Sequence, residues 1–159
     1  PTRGLIGYRN EFLTDTKGQG IMNTLLLGYR PFVGDITASS HGSLVSMERG
    51  KTITYSLINI QQRGVLFVGP GVDVYPGMIL GQNARGEDMD VNPIKEKQQT
   101  NHRSSGEGVA AKLDPAKEMT LEMCIEFLGD DELLEVTPKS LRMRKTILDA
   151  NLRKRAAKS

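Results

Sequence analysis

The stretch RGVLFVGPGVDVYPGMILGQNAR, residues 63–85, decides the fold class, because it alternates short apolar runs with tight-turn signals. Its Gly-Pro and Pro-Gly pairs mark turns, and the apolar runs between them have the length of strands. GVLFVG and GMILGQ are therefore predicted strands, with a further short strand around Val72 and Val74. Short strands separated by such turns are typical of a β-barrel or β-sandwich.

The segments before this stretch extend the β-rich region. GSLVSM (42–47) and KTITYSLINI (51–60) are predicted strands, the second because Ile53, Tyr55 and Leu57 alternate on one face. MERGKT, which joins them, is predicted to form the hairpin turn.

The final predicted strands carry positive charge. ELLEVT (132–137) and KSLRMRKTIL (139–148) flank a proline, which favours a turn between them. In the second strand, alternation separates Leu141 and Met143 from Arg142 and Arg144. This pattern predicts a basic face exposed to solvent.

The clearest helix is MTLEMCIEFLG, residues 119–129. Thr120 is its predicted N-cap, and Gly129 suits the position after its last turn. Its predicted apolar face consists of Leu121, Cys124, Ile125 and Leu128. Its acidic stripe, predicted to face solvent, consists of Glu118, Glu122 and Glu126.

Residues 1–32 have a different texture. RGLIGYRNEFL (3–13) predicts an amphipathic helix, and IMNTLLLGYRPF (21–32) predicts a short buried strand. Because one helix and one strand form no core, we interpret this segment as the end of one domain, followed by a β-rich domain with one main helix (33–148). The overall class is α+β. Without the rest of its domain, this front end is expected to pack on the β-rich domain or on a second copy, giving a dimer.

The net charge of +2 conceals a division along the chain. Residues 33–138 carry nine basic and sixteen acidic side chains, whereas 139–159 carry eight basic ones and Asp149 as the single acid. The basic end, including a tail at 149–159, predicts either a contact with a polyanion or a solvated terminus. The acidic run at 114–135 is interpreted as a solvated face, with a brace for the basic tail as the alternative.

The sequence shows no sign of a catalytic or metal site. RGKT (49–52) lacks the earlier glycine of a phosphate-binding loop, and His41, His102 and Cys124 do not form a zinc set. A single cysteine fits core packing and a reducing cytoplasm. No apolar run reaches the ~18 residues that span a bilayer, so no membrane partner is expected.

The stretch DVNPIKEKQQTNHRSSGEGV, residues 90–109, is a long polar loop without an aliphatic or aromatic anchor between Ile94 and Val109. Lysine and arginine suit phosphates, and amides and hydroxyls suit backbone and sugar groups. Loops of this length are usually functional or disordered, so the alternatives are RNA binding and a flexible insertion. The candidate RNA-binding residues in this loop are Asn92, Lys95, Lys97, Gln98, Thr100, Asn101, His102, Arg103, Ser104 and Ser105. Those in the basic end are Arg142, Arg144, Lys145, Arg153, Lys154 and Arg155.

Several long motifs resemble one family of translational GTPases related to elongation factor G. PTRGLIGYRNEFLTDTKGQGIMN resembles the fifth domain of that class, and DMDVNPIKEKQQTNHRSSG and DDELLEVTPKSLRMRKTILDANLRKR resemble the C-terminal domain of its BipA/TypA members. The family pattern has NMRS or NVRS where this chain has NHRS, which leaves the role of His102 open.

The resemblance implies a fold and a function. Residues 1–32 would be the end of a ferredoxin-like domain, and the loop at 92–105 would contact large-subunit RNA and the acceptor end of A-site tRNA. The parent would be a cytoplasmic, ribosome-associated GTPase linked to stress, cold growth and large-subunit assembly. GTP and magnesium would bind an upstream domain absent from this chain, which itself would be no enzyme and hold no cofactor. The alternative is a carrier or protein-interaction β-domain, in which Lys51 at a hairpin tip would be modified.

Overall fold

The computed structural model describes residues 1–5, 8–32, 34, 42–96 and 112–157. These residues form an α+β fold, as predicted. After a 3-10 turn at Thr2–Leu5, the helices are α1 (Tyr8–Asp15), α2 (Thr54–Gln61), α3 (Leu121–Phe127) and α4 (Ala150–Ala156). The strands are β1 (Gly42–Ser46), β2 (Gly50–Lys51), β3 (Gly64–Leu66), β4 (Asp73–Val74), β5 (Ile79–Asn83), β6 (Met89–Val91), β7 (Glu132–Val136) and β8 (Leu141–Lys145).

The main sheet has four strands in the order β3-β5-β1-β6. β5 pairs antiparallel with both β1 and β3, whereas β6 pairs parallel with β1. Gly64 and Gly81 allow β3 and β5 to approach closely, because a Cβ at Gly64 would lie 1.9 Å from the Gln82 carbonyl oxygen and one at Gly81 would lie 2.3 Å from that of Val65. The strands predicted in GSLVSM, GVLFVG and GMILGQ are therefore confirmed.

The segment at 51–60 was predicted as a strand, and that prediction is wrong. Most of it belongs to α2, whose buried side chains Ser56, Leu57 and Ile60 have helical spacing. Leu57 and Ile60 belong to the core of the main sheet with Leu44 and Leu80. Packing against this core outweighs the strand propensity of the β-branched residues.

The predicted hairpin at MERGKT is also wrong, because β2 does not pair with β1. β2 pairs antiparallel with β4, so that Lys51 lies opposite Asp73. Lys51 consequently lies in a short two-stranded ladder and not at a hairpin tip, which removes the feature that the carrier alternative requires.

The C-terminal half adds a helix and a hairpin to the sheet. β7 and β8 pair antiparallel, as predicted, and the Lys145 amide donates to the Gly77 carbonyl at 2.8 Å. Thr120 caps α3 by accepting a hydrogen bond from the Met123 amide at 3.3 Å, which confirms the predicted cap. Cys124 is buried with Ile79 and Met143 in a second core cluster.

The predicted apolar face of α3 is only partly correct. Cys124 and Leu128 pack inward, whereas Leu121 and Ile125 are each 47% exposed. The helix contacts the second core cluster through Cys124, whereas Leu121 and Ile125 remain at the surface. Glu118 precedes the helix and does not share its acidic stripe.

The predicted strand at 21–32 is wrong. These residues have no regular secondary structure, and Leu25 and Leu27 are 89% and 90% exposed. An extended segment forms a strand only when a neighbouring strand pairs with its backbone groups, and none of the described strands pairs with residues 21–32. The described strands form three separate sheets. The ferredoxin-like domain, the barrel or sandwich architecture and the domain boundaries stay predictions.

Candidate nucleic-acid interface

The polar loop leaves the main sheet at the end of β6. The Asn92 side chain accepts a hydrogen bond from the Ile94 amide at 3.0 Å, which fixes the first turn. Pro93 is fully buried, and its carbonyl accepts from the Ile53 amide at 3.1 Å. The Ser56 hydroxyl then donates to the Lys95 carbonyl at 2.7 Å. The outgoing end of the loop is therefore held by α2 and the residue before it.

The returning end is held by the same helix. The Gln61 amide group donates to the Lys112 carbonyl at 2.7 Å, and its oxygen accepts from the Asp114 amide at 2.9 Å. Leu113, between these two contacts, packs against the main core. We call residues 92–96 and 112–114 the loop root. Both halves of the loop root are fastened to α2.

Only part of the predicted loop site lies in this root. Asn92 and Lys95 have exposed side chains. The other predicted loop residues lie outside the described residues, namely Lys97, Gln98, Thr100, Asn101, His102, Arg103, Ser104 and Ser105.

Lys145, predicted to contact RNA, is instead buried in a cluster of carboxylates. Its side chain is 3% exposed, and its Nζ lies 2.5 Å from Asp88, 3.0 Å from Asp131 and 2.8 Å from Glu132. Burial alone lowers the pKa of this ammonium, but the hydrogen bonds to Asp88, Glu132 and Asp131 outweigh burial and raise its pKa. The prediction for Lys145 is corrected, because a charge enclosed by three carboxylates does not meet a phosphate at the surface.

Arg144 also has a partner within the domain. Its Nε donates to Glu135 at 2.6 Å, and Tyr75 donates to the other oxygen of that carboxylate at 2.8 Å. The hydrogen bond from Tyr75 lowers the pKa of Glu135, against the effect of burial, and Arg144 adds to the lowering. Burial and the hydrogen bond to Glu135 raise the pKa of Tyr75 to about 12. Arg142 lies across the strand pair from Glu135 and is half-buried.

The predicted basic tail forms a helix that is bound to β6. Asp149 caps α4 by accepting from the Leu152 amide at 2.8 Å. Arg153 donates to the Asp90 carboxylate and to the carbonyls of Ile147 and Leu148. Lys154 lies 3.3 Å from the same carboxylate and is 68% exposed, so its ammonium also faces solvent. Arg155 is exposed.

These pairings change the interpretation of the charge pattern. Asp131, Glu132 and Glu135 belong to the acidic run, and all three pair with cations of the basic strand β8. The run therefore includes the brace that the sequence left as an alternative. The predicted cations that remain at the surface of the described residues are Lys95, Lys154 and Arg155.

Sequence reasoning missed the residues that position this surface, namely Ser56, Gln61 and Asp90. Ser56 lay in the predicted strand at 51–60, and Gln61 directly followed that strand. The signal that places both on a helix is the spacing of the buried residues Ser56, Leu57 and Ile60. The partner of Asp90 is 63 residues away in sequence, so no local pattern reveals it.

A cavity of about 510 Å³ is lined by residues of α3 and the segment before it, of the β7-β8 hairpin and of the main sheet. Its walls include Phe67, Met119, Cys124 and Met143. Burial raises the pKa of the Cys124 thiol, which keeps it protonated, in agreement with the predicted packing role. Within the described ranges, no cluster of histidine, cysteine, aspartate and glutamate has the arrangement of a metal site. No helix in those ranges is long and apolar enough to cross a membrane.

Comparison with known families agrees with the predicted resemblance. Residues 41–150, which contain the whole sheet, both loop ends and the hairpin, match the model of the TypA/BipA C-terminal domain. The chain belongs to this family.

Characterised relatives share one name. The chain is 48% identical over 159 residues to the large ribosomal subunit assembly factor BipA of Bacillus subtilis, with 99% of this chain covered. It is 44% identical to the factor of that name from Synechocystis over 91% of the chain, and 45% identical to that of Escherichia coli K12 over 98%. The chain spans about a quarter of the length of these relatives, 24% to 26%.

Proposed function

We propose that this chain is the ribosome-binding region of a large-subunit assembly factor and that it contacts ribosomal RNA and A-site tRNA through the loop at 92–105. The observation that carries the proposal is the fastening of both ends of this polar loop to one helix, in a family whose relatives are named large ribosomal subunit assembly factors. The factor acts in the cytoplasm. By the family resemblance, GTP and magnesium belong to a separate domain, and this region contributes binding alone.

The cations that remain at the surface lie near one edge of the main sheet. Lys95, at the outgoing end of the loop, and Lys154 and Arg155, on α4, face solvent. Asp90 holds α4 against β6, and Asn92, two residues further along, begins the loop. The loop and the exposed cations of α4 therefore start from the same edge of the sheet. Phosphates bound by them would release counterions, so affinity should depend strongly on salt.

The test is a titration of large ribosomal subunits with the full-length protein at several salt concentrations. We expect the triple variant Lys95→Ala, Lys97→Ala and Arg103→Ala to bind more weakly, with a salt slope smaller by about 0.9 for each phosphate that is no longer bound. The matched control is the triple variant Arg49→Ala, Arg85→Ala and Lys117→Ala, which removes the same charge from exposed positions elsewhere. Equal affinities and slopes for the two triple variants would contradict the proposal.

A further inference from the structure

The helix α2 has a role that its burial in the core does not explain. Two of its polar side chains, Ser56 and Gln61, make three hydrogen bonds to the loop root and none of these bonds is to the helix itself. Their partners are the backbone groups of Lys95, Lys112 and Asp114. Because backbone groups are present whatever the loop sequence is, these contacts fix where the loop begins and ends and leave its side chains available.

We infer that Ser56 and Gln61 are positioning residues, which hold both ends of the loop in the arrangement that binds RNA. This inference rests on the proposed function. Ser56 and Gln61 are five positions apart on α2, a rise of about 7.5 Å along the helix axis, so one short helix contacts both ends of the loop. A loop whose two ends are both held has fewer arrangements available than one with a free root.

The chemistry of each residue fits this role. The Ser56 side chain is buried, and its hydroxyl satisfies its hydrogen-bonding capacity by donating to the Lys95 carbonyl. The Gln61 side chain has one donor group and one acceptor group, and both bind the returning half of the loop root. Both side chains are neutral, so they add nothing to phosphate attraction. Their effect on RNA binding comes from fixing the root before RNA arrives, which reduces the ordering cost of binding.

The experiment compares two variants of the full-length protein in the same subunit titration. The test variant is Ser56→Ala with Gln61→Leu, which removes all three bonds. The control is Asn59→Ala on the same helix, whose exposed side chain donates to the Tyr55 carbonyl of α2 itself at 3.0 Å. We expect the test variant to bind about tenfold more weakly and to show a smaller salt slope, because misplaced cations bind fewer phosphates. A residue that served stability alone would leave the salt slope unchanged.

Amide hydrogen exchange of the free protein provides a second readout. The test variant should exchange faster than the Asn59→Ala control at residues 94–96 and 112–114, and at the control's rate in β1. Unchanged affinity and salt slope in the test variant, while both are reduced in the Lys95, Lys97 and Arg103 variant, would overturn the positioning role and leave the proposed function intact. If that charge variant binds normally, both RNA roles are overturned. Equal exchange at the root would overturn the fastening itself.

Discussion

Lys145 shows how a correct local pattern leads to a wrong functional assignment. Alternation along β8 places Leu141 and Met143 on the inner face, and the same alternation places Lys145 there, two residues further on. The inward direction of the Lys145 side chain could therefore be predicted from the sequence. Its three carboxylate partners lie on two segments, with Asp88 57 residues away from Lys145 and Asp131 next to Glu132, and only the folded chain brings them together. Because the prediction considered only the positive charge of Lys145, it placed this residue at the surface.

Lys145→Met should destabilise the domain by about 3 kcal/mol, because it leaves the buried carboxylate of Glu132 without its cationic partner. Denaturant unfolding of the two proteins under matched conditions would measure this difference. Lys154→Met is the matched control and should change stability by less than about 1 kcal/mol, since its ammonium is largely solvated. A destabilisation by Lys145→Met no greater than that of this control would contradict the buried cluster.

Tyr75 predicts an alkaline limit to stability. Its pKa is raised to about 12 from the ordinary value of 10.0, by burial and by the Glu135 carboxylate. The folded protein thus retains the phenolic proton more strongly than the unfolded chain does. This contribution is fully present below pH 10 and is lost as pH rises from 10 to about 12.

Replacement of Tyr75 by phenylalanine should remove that contribution, so stability should fall less steeply over this interval than in the unchanged protein. Denaturant unfolding at a series of pH values measures the slope. Glu135→Gln should lower the titration midpoint of Tyr75, because the carboxylate that disfavours the phenolate is gone. Identical slopes for the unchanged protein and the Tyr75→Phe variant would show that the phenol is not held as described.

At the scale of elements, α2 marks the limit of periodicity as a guide. Ile53, Tyr55 and Leu57 alternate as a strand does, yet Ser56, Leu57 and Ile60 are the buried residues of a helix. The same ten residues contain both a strand pattern and a helix pattern. Which structure forms depends on which set of side chains can be buried in the core. β1 and α3 each had a single pattern, and both were predicted as the correct kind of element, although only part of the predicted apolar face of α3 is buried. The contacts of α2 with the loop root could not be predicted while it was assigned as a strand.

The short helix α4 should depend on the carboxylate of Asp90, which pairs with Arg153 and Lys154 of this helix. Seven residues form a marginal helix, and Asp90 holds Arg153 of this helix against β6. Asp90→Asn should speed amide exchange within α4 about tenfold, which corresponds to about 1.4 kcal/mol for a charge-assisted hydrogen bond. Asp73→Asn, which removes a carboxylate from the exposed edge of β4, is the control. Equal exchange of α4 in both variants would assign its stability to other contacts.

At the scale of the whole molecule, the apolar segment at 21–32 is the largest departure from expectation. Its composition predicted burial, and the described structure leaves Ile21, Leu25, Leu27 and Tyr29 almost fully exposed. Composition identifies a segment that requires a partner, but the partner strand is specified by residues outside the segment. The predicted packing or dimerisation of this front end stays a prediction. Among the residues that the structure describes, this segment exposes several large apolar side chains in succession, and such a surface favours association.

Leu25→Asp with Leu27→Asp should therefore reduce self-association of this chain without destabilising its core. Sedimentation over a range of concentrations should show dimers of the unchanged chain and fewer of the variant. Val136→Asp, at another exposed apolar position, is the control and should leave association unchanged. A monomer at all concentrations for the unchanged chain would contradict dimerisation through this segment.

The parallel pairing of β1 with β6 has a consequence for the order of folding. β1 is the first strand of the main sheet to be synthesised, but one neighbour, β5, begins at Ile79 and the other, β6, at Met89. Contacts so distant in sequence form late and slow the search for the native state. During translation, β1 leaves the exit tunnel with both edges unsatisfied, and it waits for some forty further residues to emerge. A nascent chain that is halted before Val91 should therefore remain sensitive to proteolysis, because the addition of β6 completes the four-stranded sheet.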